Sequence, residues 1–200
     1  ELPQDTYELI DMAASDNRKV FSKMVGRQTE LGKLKERVAK LFEGKGSVVN
    51  IVGEAGIGKT RLVHELNQHT KKRSILTLQG KSISMGRNLS FHPIIAMLKS
   101  WARIKEEDSG AGALEKLEMT IRKLSGEDAD EILAFVATLM GMRLTKRLMD
   151  RVQGIEGEAL QKLILKNMKA LLTRAAEKNP LILIMEDLHW VDTSSLDLLK

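Results

Sequence analysis

Eight consecutive residues, Gly53-Glu54-Ala55-Gly56-Ile57-Gly58-Lys59-Thr60, have the types and spacing needed to hold a triphosphate. A polyphosphate concentrates negative charge on a compact group, and a backbone wraps it closely only where no side chain intervenes. Glycines at 53, 56 and 58 would let successive N–H groups turn inward, and a helix opening at the end of the loop would add its positive terminus. Lys59 would meet the β- and γ-phosphates as a point charge, and the Thr60 hydroxyl would ligate magnesium. Glu54, Ala55, Ile57 and Arg61 would complete the lining. The other reading is a glycine-rich turn, but a chance match in a chain of this length is on the order of one in a hundred.

A magnesium nucleotide also needs a carboxylate at the tip of a neighbouring strand. The apolar run Leu181 to Met185 (LILIM) delivers Glu186 and Asp187 there. Glu186 takes the magnesium-side position and Asp187 the position that polarises the attacking water. The expected catalytic set is therefore Lys59, Glu186 and Asp187, with Thr60 and Glu186 as the magnesium ligands and ATP or ADP as the bound nucleotide.

These groups must be positioned by regular elements. Leu31, Leu34, Val38, Leu41 and Phe42 recur at helical spacing before Gly44 and Gly46, which predicts an amphipathic helix over 29–43. Ser47 to Val52 (SVVNIV) is expected to be a short buried strand running into the glycine loop. A helix to about His69 and a second strand, Ser74 to Leu78 (SILTL), would complete a βαβ unit. From there to Asn179 the pattern is helical. Pro93 sits in a first turn with Ile94, Leu98 and Trp101 on one face. Further stripes run through Leu114, Leu117, Ile121 and Leu124, through Ile132, Phe135, Val136 and Leu139, and through Leu160, Ile164, Met168, Leu171 and Ala175. Pro180 would end the last helix, and LILIM would be a strand buried on both sides of a parallel sheet. The fold class expected is α/β, with a mainly parallel sheet flanked by helices and a long helical insert.

The stretch PLILIMEDLHWVDTSSLDLL resembles the Walker B signature of the STAND branch of AAA+-type P-loop ATPases. Val25-Gly26-Arg27 with Glu30-Leu31 resembles its VGRxxEL motif, and NLSFHPIIAMLKSW resembles the stretch after the second strand in these proteins. The likeness spans about residues 21–200. It is greatest to the ATPase domains that adjoin class III adenylate/guanylate cyclase domains in bacterial signalling proteins with tetratricopeptide repeats, and TYELI at Thr6 to Ile10 is similar to the closing strand of such a cyclase. The resemblance implies that Val25 and Gly26 line the adenine with Arg27 near it, and that an effector domain and helical repeats are covalently linked. It also implies that residues 1–20 form a linker or the tail of an upstream domain, and 21–200 an ATPase domain cut short at its C-terminal end. The chain begins at Glu1 and ends at Lys200 inside an expected helix, so it reads as a fragment. The family more often has aspartate first in its acidic pair; glutamate stands there in this chain.

Composition narrows the rest. Apolar residues make up 42% and charged residues 30%, which is ordinary for a globular domain, and there is no cysteine to build a disulfide framework or thiolate metal site. No apolar run approaches the roughly eighteen residues of a membrane span, so a cytoplasmic location with no membrane partner is expected. The net charge of +5 favours anionic partners, but basic and acidic residues alternate along the expected helices, which reads as a solvated mixed-charge surface with nucleic acid a lesser expectation. A DNA-associated ATPase and a nucleotide-binding scaffold that never hydrolyses are the alternatives. His189 and Trp190 are read as surface and packing residues, Asp192 as the cap of the next helix, and the dispersed histidines as no metal site.

Overall fold

The structure is a computed structural model that describes residues 24–71 and 73–199, with the backbone alone at 87 and 88. The expectations for residues 1–20 lie outside it. The order is α1 (Gln28–Leu41), α2 (Lys59–Thr70), β1 (Leu76–Lys81), α3 (His92–Trp101), α4 (Gly110–Ser125), α5 (Ala129–Leu139), α6 (Lys146–Val152), α7 (Gly157–Lys178), β2 (Leu181–Glu186) and α8 (Thr193–Leu198). The two strands pair in parallel, with Leu76 opposite Leu181 and Lys81 opposite Glu186. Parallel neighbours require a crossover, and α3 to α7 supply it.

The main core lies within that crossover. On α5, Ala129, Ile132 to Ala137 and Leu139 are all buried, because α4, α6 and α7 surround this helix. A helix apolar on most of its circumference must be enclosed, and α5 is the one around which the others pack. Leu98, Ile121, Leu133, Leu148 and Leu171 are fully buried in the same cluster, each worth about 1.5–3 kcal/mol of transfer free energy. Outside, Arg122 and Arg147 both pair with Glu118 (2.8 Å each) and with Asp130 (2.6 Å each). Basic side chains here are thus matched to acids from other turns, as a mixed-charge surface requires.

A smaller cluster positions the glycine loop. Leu34 and Val38 of α1 meet Leu62 and Leu66 of α2, with Ile51, Ile75 and Ile182 against them. The contact between α3 and β1 depends on Gly80, where a Cβ would lie 2.8 Å from the Pro93 carbonyl oxygen.

Three expectations need correction. Residues 47–52 form no strand: Val48 and Val52 are each 91% exposed, and the segment pairs with neither β1 nor β2. Apolar, β-branched residues signal the propensity for a strand, but a strand exists only through a hydrogen-bonded ladder, and among the described residues this segment forms none, although Ile51 packs in the same cluster as Ile182 of β2. The βαβ unit is therefore present only from α2 onward. Second, β2 is not buried on both sides, since Leu183 is 41% exposed. Third, β1 starts two residues later than Ser74 and runs three beyond Leu78, and the short helix α6 was absent from the expected pattern. The remaining helices fall where their periodicity placed them.

Candidate functional site

The loop joins the unladdered segment to α2. Gly56 and Gly58 have φ of +78° and +96°, with open space where a Cβ would stand. Both conformations favour glycine, and Gly58 caps α2 from the left-handed region. At Gly53 a Cβ would come within 3.0 Å of the Ile57 Cγ2, so its requirement is a close approach inside the loop. Residues 53–58 are exposed.

Lys59 opens α2, and its Nζ donates to the carbonyl oxygens of Gly53 and Glu54, each at 2.9 Å. The ammonium thus lies across the mouth of the curl that its own loop makes. Thr60, next on the helix, is exposed. Arg61 turns away to Glu65, with its Nη2 2.5 Å from Oε1. The chain before α1 comes alongside: Arg27 donates from Nη2 to the Ile57 carbonyl oxygen at 3.0 Å and from Nη1 to Glu30 at 3.1 Å. Gly26 has φ of +79°, and Val25 is 84% exposed.

Glu186 is the last residue of β2, and Asp187 follows in the left-handed region at φ 55°, ψ 41°. Aspartate is among the few side chains that tolerate that region, so the chain turns sharply just where the two acids stand. Glu186 accepts a hydrogen bond from Gln79 Nε2 at 2.5 Å, and Gln79 Oε1 accepts one from Asn67 Nδ2 at 3.0 Å. Asn67 is on α2, Gln79 on β1 and Glu186 on β2, so three elements are joined through side-chain amides. Neither amide was foreseen from the sequence. The available signal was a lone amide side chain, Gln79, in the strand LTLQGK beside the acidic one.

Beyond the acids, His189 and Trp190 lie in a 3-10 turn with ring centroids 5.0 Å apart. Asp192 caps α8 as expected: its carboxylate accepts from the Ser195 N–H at 2.9 Å and hydroxyl at 2.6 Å, and also from the Phe91 N–H at 3.0 Å at the start of α3. Burial pushes its pKa up, but hydrogen bonds from the Ser195 hydroxyl and the Phe91 and Ser195 amides outweigh that and hold it below the usual value.

The donor set suits a magnesium polyphosphate: glycines that leave the loop backbone accessible, a lysine at its mouth, a hydroxyl on the first turn of the helix, and a carboxylate tied back to that helix. Among the described residues no cluster of three or more acids and histidines could hold a metal alone. A magnesium ion that keeps waters and takes its other ligands from phosphate needs no such cluster.

Compared with known families, residues 23–200 match the AAA ATPase domain. The chain belongs to that family. Its members bind and hydrolyse nucleotide, and the helix-dominated architecture with a small parallel sheet is consistent with their α/β fold. The AAA domain is also similar to an uncharacterized protein of Rhizobium meliloti (strain 1021), 26% identical over 177 residues. Those residues cover 88% of this chain and 16% of that protein. The chain therefore spans about a sixth of that relative's length. No solved structure matches it. Among the described residues, no helix is long and apolar enough to cross a membrane.

Proposed function

We propose that this AAA domain is a P-loop ATPase of the STAND type that binds ATP or ADP with magnesium through Gly53 to Thr60 and hydrolyses ATP slowly. The observation that carries the reading is the Lys59 ammonium set across a loop whose two positive-φ glycines leave its backbone open. Lys59 contacts the β- and γ-phosphates, Thr60 and Glu186 hold magnesium, and Asp187 orients the attacking water. Magnesium, when bound, neutralises charge on the leaving phosphates. Val25 and Gly26 lie beside the adenine.

Slow turnover follows from where the nearby arginines point. Arg27 is committed to Ile57 and Glu30, and Arg61 to Glu65. An arginine on the γ-phosphate is worth roughly a thousandfold or more in rate. With these two engaged elsewhere, steady-state phosphate release falls well below the common range of about 1 to 1000 per second. Nucleotide state would then act as a switch on the conformation of a larger cytoplasmic signalling protein, with a nucleotide cyclase as one candidate effector. Competition between ATP and GTP, together with phosphate release with and without magnesium, tests the reading. ATP preference and slow, magnesium-dependent release support it; GTP preference or magnesium-independent release contradicts it.

A further inference from the structure

The Arg27 guanidinium is held at both ends, by Glu30 Oε1 at 3.1 Å on its own helix and by the Ile57 carbonyl oxygen at 3.0 Å in the glycine loop. Helix α1, which carries it, is packed on α2 through Leu34, Val38, Leu62 and Leu66. The donor is therefore preorganised relative to the loop that it grips. In a trans peptide the C=O and the following N–H lie in one plane and point in opposite directions. The Ile57 carbonyl and the Gly58 N–H belong to the same peptide, so an arginine that fixes the first also fixes the second. Gly58 is the N-cap of α2, so that N–H has no partner within the helix. It is aimed to the side of the loop away from Arg27.

We propose that Arg27 is a positioning residue for the phosphate loop, orienting the Gly58 N–H toward a bound polyphosphate through the Ile57 carbonyl, and not a contact to the nucleotide base. The assignment rests on the loop being a phosphate site, as inferred above. Glycine at 58 makes the device necessary, because a residue free to populate both signs of φ does not fix its own amide direction. Arginine suits it better than lysine, because a planar fork reaches a carboxylate and a carbonyl at once.

The test uses two probes, magnesium ATP and magnesium tripolyphosphate, the second having the phosphates and no base. Wild type, Arg27→Gln, Arg27→Lys and Lys59→Ala are titrated with each, and unliganded melting temperatures are recorded. Arg27→Gln should weaken both probes by the same factor, about tenfold for the loss of one charge-assisted hydrogen bond. Arg27→Lys, with one charged donor retained, should recover part of the loss. The Gly58 amide resonance should shift on adding tripolyphosphate in wild type and shift less in Arg27→Gln. Should Arg27→Gln fold poorly, the Arg27→Lys comparison and the Gly58 resonance in that variant still decide. A loss confined to ATP means that Arg27 contacts the base, and unchanged affinity for both probes means that it positions nothing; either overturns the proposal. Binding that needs Lys59 but not Arg27 overturns this assignment alone. Binding indifferent to Lys59 overturns the phosphate-site reading beneath it.

Discussion

Gln79 Nε2 donates to Glu186 Oε1 at 2.5 Å, and Gln79 in turn accepts from Asn67 on the helix that Lys59 opens. The carboxylate proposed to hold magnesium is thereby oriented from β1 and linked to the phosphate-loop helix. Gln79→Ala removes the donor and frees the carboxylate to rotate. Magnesium-dependent ATP affinity should fall by several-fold, while affinity measured in EDTA should not change. Equal losses in both conditions would show that Gln79 serves packing alone.

Asp187 occupies the left-handed region at the end of β2. Asparagine tolerates that region as well as aspartate, so Asp187→Asn keeps the turn and removes only the charge. If the carboxylate orients and polarises the attacking water, phosphate release should drop by about a hundredfold or more with ATP affinity kept. Unchanged release would remove Asp187 from the mechanism.

These two residues show what was legible and what was not. The glycine turn at 53–58, the place of both acids at the end of β2, the cap at Asp192 and six of the helices, α1 to α5 and α7, could be read from spacing, because a short motif and a 3.6-residue apolar period are local properties of the chain. The 47–52 segment could not, because its valines carry the propensity but its strand state depends on a partner far away in sequence. Gln79 was equally hidden: its role comes from the β1–β2 register, which brings residue 79 within reach of residue 186, and no local pattern encodes that pairing.

Asp192 ties two helix starts together, accepting from Phe91 and from Ser195. Asp192→Ala should cost about 2–3 kcal/mol in urea unfolding, the sum of a lost cap at Ser195 and the part-buried Phe91 amide left unpaired. Because the folded-state pKa lies below the ordinary aspartate value, this contribution is present at neutral pH and is lost as pH falls through the folded value. The stability difference between wild type and Asp192→Ala should therefore shrink in strong acid. A difference that stayed constant from pH 7 down to about pH 2 would contradict the linkage.

Gly80 allows α3 to lie against β1, with the Pro93 carbonyl oxygen 2.8 Å from where a Cβ would stand. Backbone cannot retreat as a side-chain tip can, so Gly80→Ala should destabilise by about 1–3 kcal/mol as an overpacked contact. A melting temperature equal to wild type would mean that α3 moves away from the strand at no cost.

The central claim is that the loop holds nucleotide phosphates through Lys59. Among the described residues its ammonium hydrogen-bonds the loop carbonyls of Gly53 and Glu54 and no carboxylate, so Lys59→Ala should leave the unliganded melting temperature within a degree or two of wild type. Calorimetric titration of both proteins with magnesium ATP is the direct measurement. Saturable binding by wild type and a loss of about a hundredfold or more in Lys59→Ala, as expected for removing a charge-assisted contact to phosphate, is the predicted result. Equal affinities in the two proteins, at equal melting temperatures, would contradict the account.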